Sequence, residues 1–216
     1  MDFKHVENNE AEKQSPVNWW KEINDELPEI LENLKGTVLL LHNSAEFTDI
    51  IDVLNNIQPD NCFKILYISM IRSYGYMKKT LKLNPLNKDL SVVDCVSGYA
   101  FPQEEGIDNC MYHKPPRNLM ELKKILDLGV KKEKPDIVVL DSLSHFINFS
   151  KPHHQDLLDL YHFLDTIEDD MVDDRQSTFL LLYDSKMSTP ENIPREGIQT
   201  TLKMETKNSD SPIKTI

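Results

Sequence analysis

The stretch Asp136-Ile137-Val138-Val139-Leu140-Asp141-Ser142 decides the fold of this chain. It is an apolar run of strand length that ends in an acid and a hydroxyl. Two further runs of the same kind, at 37–42 and 177–183, are also almost entirely apolar. Strands that are apolar on both faces are typical of parallel sheets covered by helices on each side. The sequence therefore predicts these three strands at the centre of a mainly parallel sheet.

Strands and helices alternate along most of the chain. Further strands are predicted at 64–69, 90–95, 110–113 and 197–204. Helices, in which apolar residues recur every three or four positions, are predicted at 46–57, 73–83, 118–130 and 154–171. Such an alternation requires crossover connections between parallel strands. We therefore predict an α/β fold, with a mainly parallel sheet between two layers of helices in a three-layer sandwich.

The segment from Val17 to Leu34 also shows helical spacing and predicts an amphipathic helix. Its tryptophans, Trp19 and Trp20, are either part of the core or anchors of an interface, because aromatic side chains are frequent in interfaces. The spacing is compatible with both alternatives. Residues 1–16 and 206–216 are polar and are predicted to be disordered tails. A single domain over 17–205 remains between them.

Composition excludes several classes of function. The net charge of -12 over 216 residues disfavours nonspecific binding to nucleic acid, which needs a basic face. The densest basic group, Lys131-Lys132 with Lys134, is predicted to lie at a helix C-terminus. The three cysteines form no C-x-x-C motif and indicate reduced thiols in a cytosolic setting. Without a signal peptide or a membrane-length apolar run, we expect a cytoplasmic protein with no membrane insertion.

An apolar strand that ends in an acid has the form of a Walker B strand, whose acid helps to hold Mg²⁺. Its partner, G-x-x-x-x-G-K-[ST], should follow the first strand. Here that strand is followed by Leu41-His42-Asn43-Ser44-Ala45-Glu46-Phe47-Thr48, which has neither glycine nor lysine. Two alternatives follow. Asp141 and Ser142 either bind Mg²⁺ and nucleotide together with Asn43 and Ser44, or they end a strand and cap the next helix.

Other candidate residues carry weaker signals. Arg72 follows the second strand and is either an anion contact at the same sheet edge or a solvated loop residue. The cluster His153-His154-x-Asp156 resembles a metal site, but adjacent histidines point in different directions on a helix. Cys95 ends a strand beside an acid. It would need a nearby histidine for catalysis, and we expect a buried, inert thiol instead.

Several stretches together resemble the RecA/KaiC-like superfamily, and within it the small archaeal KaiC-like proteins that lack a Walker A motif. They are G-T-V-L-L-L-H at 36–42, K-I-L-Y-I-S at 64–69, V-V-D-C-V-S-G at 92–98, R-N-L-M-E-L at 117–122 and K-P-D-I-V-V-L-D-S-L-S at 134–144. Asp141 is the one catalytic-type residue that carries over. The Walker A lysine and threonine have no counterpart. The glutamate pair that follows the second strand in KaiC-like ATPases is replaced by Met70-Ile71-Arg72.

The resemblance implies a non-catalytic domain with no cofactor, one that acts as a regulatory or protein-interaction module by binding a protein partner or itself. It also allows an alternative, a weak binder of ATP with Mg²⁺ that uses Asp141, Ser142, Asn43 and Ser44 without efficient hydrolysis. In both cases Trp19 and Trp20 are the expected interaction residues.

Overall fold

The computed structural model describes residues 21–23, 34–43, 47–56, 64–80, 90–99, 109–169, 177–190 and 193–204. In this part of the chain the strands are β1 (Lys21–Ile23), β2 (Gly36–His42), β3 (Ile65–Ser69), β4 (Leu90–Asp94), β5 (Cys110–Tyr112), β6 (Ile137–Asp141), β7 (Thr178–Asp184) and β8 (Thr200–Met204). The helices are α1 (Phe47–Asn56), α2 (Tyr74–Thr80), α3 (Leu119–Glu133), α4 (Leu143–Ser150) and α5 (His154–Asp169), with a 3-10 turn at Ser97–Tyr99.

The eight strands form one sheet in the order β1-β8-β2-β7-β6-β3-β4-β5, and every neighbouring pair is parallel. The three apolar runs β2, β7 and β6 lie side by side in its middle, as predicted. Leu181 of β7, for example, lies opposite Leu39 on one side and Leu140 on the other. The carboxyl ends of all strands therefore meet at one edge of the sheet, called here the C-terminal edge.

Alternate residues of the central strands face opposite layers of helices. In β2, Val38 and Leu40 belong to one buried cluster with α1 and α2. Leu39 and Leu41 belong to a second cluster with α3, α4 and α5. Because both faces are buried, the strand has no polar alternation. The predicted three-layer α/β sandwich is confirmed.

The predicted helix over Val17–Leu34 is wrong at Lys21–Ile23, which form the edge strand β1. Lys21 lies opposite Leu202 of β8, and Ile23 lies opposite Met204. Without β1, the outer edge of β8 would present unpaired backbone groups, and the added strand supplies their partners. The spacing of apolar side chains carries no information on such a distant pairing, so tertiary contacts override the local pattern.

Helix ends are set by local hydrogen bonds. The side chain of Asn118 caps α3 by accepting the N–H of Glu121 at 3.0 Å. Lys131 and Lys132 lie in the last turn of α3, where the helix dipole favours cations. Lys134 follows in the left-handed region at φ 48°. The predicted placement of these lysines at a helix C-terminus is confirmed.

Some of the predictions fall on parts of the chain outside the described residues. These are the tails at 1–16 and 206–216, the tryptophans Trp19 and Trp20, Ser44, and the predicted helix ends at 57, 81–83 and 170–171. Within the described ranges, every helix is too short or too polar to cross a membrane.

Candidate functional site

Asp141 ends β6, and its side chain is completely buried among the central strands. It lies opposite Ser69 of β3 in the register of the sheet. Its backbone carbonyl accepts the N–H of Met70 at 2.6 Å, which ties the end of β6 to the turn after β3. The peptide bond between Asp141 and Ser142 is cis. The carboxyl group thus lies at the C-terminal edge, where the sequence places it.

The carboxylate of Asp141 accepts hydrogen bonds from two neighbouring side chains. Nη1 of Arg72 donates to its two oxygens at 2.9 and 3.0 Å. The hydroxyl of Tyr67 donates to Oδ2 at 2.8 Å. The Arg72 side chain is only 17% exposed and that of Asp141 is 0% exposed, so the ion pair lies beneath the surface. Mg²⁺ prefers an octahedral set of oxygen ligands that includes several waters, and a buried carboxylate paired in this way is a poor ligand for it.

The position of Arg72 is fixed from two further directions. Its Cζ lies 3.3 Å from the centre of the Phe47 ring, which makes a cation–π contact. The hydroxyl of Ser69 accepts the N–H of Arg72 at 3.1 Å and donates to its carbonyl at 2.7 Å, closing the turn after β3. Arg72 is therefore not a solvated loop residue. It contacts an anion at this sheet edge, as the other alternative from the sequence has it, and that anion is the carboxylate of Asp141.

Burial and pairing act in opposite directions on Asp141. Burial raises the pKa of this carboxyl above its usual range, while the Arg72 guanidinium and the Tyr67 hydroxyl pull the pKa down. The pKa of Tyr67 is raised, first by burial and then by the negative charge of Asp141. Tyr67 therefore keeps its proton and remains a hydrogen-bond donor to the carboxylate.

His42, the last residue of β2, lies near the same group. Its Nδ1 is 3.0 Å from the carbonyl oxygen of Asn43, and its ring centre is 6.3 Å from that of Phe47. Its Nε2 is buried and has no hydrogen-bond partner in the part of the chain that the structure describes. A positive charge on His42 would lower the pKa of Asp141, so the two residues are electrostatically coupled. Asn43 is half-buried beside it at the end of β2.

Ser142 caps the helix that follows β6. Its Oγ accepts the N–H of His145 at 3.2 Å and lies 3.1 Å from Oγ of Ser144. The Ser144 hydroxyl in turn accepts the N–H of Asp184 at 3.1 Å, which joins α4 to the end of β7. The capping alternative from the sequence is thus realised by Ser142. The helix itself, α4, adds an element whose extent the sequence pattern did not predict.

Asp94, which the sequence did not single out, organises the turn after β4. Its Oδ1 accepts the N–H groups of Val96 and Ser97, both at 2.8 Å. Its Oδ2 accepts the N–H of Tyr74 at 2.8 Å. An acid at a strand end, followed closely by a serine, is a signal of such a turn. The buried carboxylate of Asp94 therefore has a structural role at the C-terminal edge.

The two described cysteines are buried, free thiols. Burial and the nearby charge of Asp94 raise the pKa of Cys95 to about 12, and the same two causes raise that of Cys110 to about 12. A nucleophilic cysteine needs a lowered pKa, because the thiolate is the reactive form. These pKa values favour the inert alternative for Cys95.

We expect both thiols to resist modification in the folded protein. In a Cys62→Ser variant, which removes the cysteine outside the described residues, Ellman's reagent should react slowly at about pH 8, where a thiol of pKa about 12 is about one part in ten thousand thiolate. In urea, both thiols should react at once. Rapid modification of either thiol without urea, with native circular dichroism retained, would contradict the burial of these groups.

The histidine cluster at the start of α5 has a local explanation. The carboxylate of Asp156 accepts the backbone N–H of His153 at 2.7 Å, as an acid in the first turn of a helix commonly does. In the described ranges, no group of three or more His, Cys, Asp or Glu side chains is arranged to hold a metal ion.

An all-parallel sheet between two helix layers, with a buried acid at the carboxyl end of a central strand, is consistent with a RecA/KaiC-like α/β fold. The chain is similar to the crystal structure of the KaiC-like protein PH0186 from the hyperthermophilic archaeon Pyrococcus horikoshii OT3. The TM-score is 0.55 at 13% sequence identity, and the match covers 81% of this chain and 75% of that chain. At this identity the likeness establishes the fold. No family model and no curated protein matches the sequence.

Proposed function

We propose that this RecA/KaiC-like domain is non-catalytic and acts in the cytosol as a regulatory or protein-interaction module. The observation that carries the proposal is the buried ion pair. Arg72 donates to both carboxylate oxygens of Asp141, and Tyr67 donates to one of them. For Mg²⁺ to bind Asp141, the ion would have to displace a guanidinium from a fully buried carboxylate, where an unpaired cation is also costly.

Charge at the site supports the same conclusion. Phosphoryl transfer depends on a metal, a lysine and a placed base or water-orienting residue. KaiC-like ATPases carry a glutamate pair after the second strand, and the resemblance places Met70-Ile71-Arg72 at that position. This chain therefore has a cation, Arg72, in place of an acid, and that cation pairs with Asp141. The arginine can neither bind Mg²⁺ nor accept a proton from water.

The start of α1 provides further support. A P-loop brings a lysine to the beginning of the helix that follows the first strand. Here that helix begins with Phe47, whose ring is covered by the guanidinium of Arg72 at 3.3 Å. A phenylalanine thus stands near the position of the P-loop lysine, and the guanidinium that covers its ring is paired with Asp141. The inferred role is therefore interaction with another protein rather than hydrolysis.

Nucleotide binding and turnover test this proposal directly. With MgATP or MgADP at about 1 mM, the upper end of common KM values, we expect no saturable shift in thermal unfolding and no heat of binding by calorimetry. Steady-state hydrolysis should stay well below about 1 s⁻¹, the lower end of typical enzyme rates. The matched control is Asp141→Asn, which keeps the shape of the side chain and removes its charge.

The weak nucleotide binder is the competing outcome. Saturable binding of MgATP that Asp141→Asn abolishes, in a variant with native circular dichroism, would favour this alternative and assign Asp141 to the metal. Turnover at or above about 1 s⁻¹ that the same substitution removes would refute the non-catalytic proposal. Turnover that is unchanged in Asp141→Asn would come from a contaminating enzyme if further chromatography separates it from the domain, and would contradict the non-catalytic proposal if it does not.

A further inference from the structure

A mostly apolar cavity of about 310 Å³ lies at the C-terminal edge, on the side of β6 away from the turn after β2. Its lining comes from the ends of adjacent strands: Met70 follows β3, Cys95 follows β4, and His145 lies on the helix after β6. Phe146 and Pro116 also line it. Ligands of open α/β sheets bind at the carboxyl ends of the strands, so the cavity lies at a favourable position in the fold.

The mouth of the cavity is bordered by exposed apolar side chains. Val96, Tyr99 and Phe149 line it, yet they are 39%, 58% and 67% exposed. Isolated exposed apolar residues are ordinary, but several around one concavity mark an interaction surface. The volume is at the lower end of the roughly 300–1,000 Å³ range of ligand pockets. It suits one large side chain rather than a nucleotide.

Cations border the same opening. Lys114 and Arg117 flank the Pro115-Pro116 pair that lines the cavity, and both side chains are exposed. Nη2 of Arg117 lies 3.5 Å from the hydroxyl of Tyr99, which places its charge at the mouth. The border also contains one acid, Glu121, whose carboxylate accepts the backbone N–H of Arg117 at 2.8 Å. With two cations to one acid it is still more basic than a chain of net charge -12 as a whole. An acidic partner is complementary to it and repelled by much of the remaining surface, which favours binding at this position.

His145 contributes a polar side chain to the lining of the cavity. This residue is half-buried. Burial lowers the pKa of His145, although Asp141 opposes this, so the ring is largely neutral near neutral pH. A neutral imidazole both donates and accepts one hydrogen bond. It is therefore suited to a group with an N–H or O–H, such as an indole or a phenol.

We propose that this cavity is a docking site for a protein partner, which inserts one aromatic side chain, flanked by acidic residues, beside Arg117 and Lys114. The choice of a protein segment as the occupant rests on the function proposed above. The site itself rests on the cavity, its exposed aromatic border and its charge. Its lining residues are other than Trp19 and Trp20, the interaction residues expected from the sequence.

A library of random peptides of about twelve residues, displayed on phage, tests the site with the full-length protein. We expect enriched peptides to carry an aromatic residue within a few positions of Asp or Glu. Synthetic copies, followed by fluorescence polarisation, should bind less tightly by at least about tenfold in Phe149→Ser or Tyr99→Ser. Arg117→Glu should weaken binding and reduce its dependence on salt. The Met70 methyl resonance should shift when peptide is added.

Matched controls lie on α3 of the same protein. Leu128→Ser removes an equally exposed apolar side chain, 63% exposed, that does not line the cavity. Lys124→Glu makes the same charge change as Arg117→Glu at another exposed site. Both controls should leave peptide affinity within about twofold, as substitutions outside a contact usually do. All the substituted residues are exposed, so circular dichroism should remain native.

Four outcomes would overturn the docking site. They are a library without enrichment, enrichment of basic peptides, affinities that the cavity variants do not change, and a dimer that Phe149→Ser converts to monomer in sedimentation. The last outcome would identify a second copy as the occupant. None of them bears on nucleotide binding at Asp141, so failure of the docking site and failure of the non-catalytic function are separately visible.

Discussion

Replacing Arg72 with alanine should lower the free energy of unfolding by about 3–5 kcal/mol, the usual cost of removing one partner from a buried ion pair. The carboxylate of Asp141, which is completely buried in the wild-type protein, would keep only the hydrogen bond from Tyr67. The contact between Arg72 and the Phe47 ring would be lost as well. Urea unfolding followed by circular dichroism measures this change.

The loss should also depend on pH. Burial raises the pKa of Asp141, and removal of Arg72 takes away the main influence that lowers it. The folded variant therefore holds its proton to higher pH than the folded wild type does. Because a proton held more tightly in the folded state makes stability fall as pH rises, the deficit of Arg72→Ala should be larger at about pH 7.5 than at about pH 5.

A matched ion pair on the surface provides the control. Lys131 and Asp127 are 2.8 Å apart at positions i and i+4 of α3, with side chains 67% and 35% exposed. Lys131→Ala should therefore cost only about 0.3–0.5 kcal/mol. A double variant, Arg72→Met with Asp141→Asn, should be less destabilised than the sum of its single variants. If Arg72→Ala costs less than about 1 kcal/mol, as exposed pairs do, the description of a buried locked pair is wrong.

Gly98→Ala should be similarly damaging, for a steric reason. A Cβ at Gly98 would lie 2.0 Å from the carbonyl oxygen of His113, which is backbone and not the end of a flexible side chain. The turn after β4 and the end of β5 would have to separate. Overpacking of this kind usually costs about 1–3 kcal/mol, and a clash with backbone places Gly98→Ala at the upper end or above. Thermal and urea unfolding measure it.

Gly75→Ala is the matched control for Gly98→Ala. A Cβ at Gly75 meets nothing within 4 Å, and Gly75 lies in the helix α2. Since alanine is favoured over glycine in helices by about 0.5–1 kcal/mol, this variant should be slightly more stable than wild type. The two substitutions add the same methyl group, so equal effects would show that the close approach of Gly98 and His113 does not exist in solution.

The parallel sheet could be predicted because its signal is local. A strand such as β2 is buried on both faces, so its sequence is a nearly continuous run of apolar residues that can be recognised directly. β1 carries no such signal. Its three residues are held by pairing with β8, which lies far along the chain. Because a pairing with a distant strand leaves no mark on the local sequence, only the helical spacing of Val17–Leu34 was visible, and it indicated a helix.

Part of the candidate site could likewise be predicted from the sequence, and part could not. The position of Asp141 at the C-terminal edge follows from the strand that it ends, and the cap by Ser142 follows from hydroxyl chemistry at a helix start. The pairing of Asp141 with Arg72 spans 69 positions and depends on β3 lying next to β6. Periodicity and composition do not encode which strands become neighbours, so the state of the carboxylate became visible only in three dimensions.

The order of the strands has a consequence for synthesis on the ribosome. β2 is the first long strand of the chain to be made, yet its two neighbours, β7 and β8, are the last strands of the sheet. Until Thr178–Met204 has left the exit tunnel, both edges of a very apolar strand lack their native partners. Unpaired edges of this kind recruit other chains. During synthesis β2 therefore stays open to pairing with other chains until both β7 and β8 have emerged.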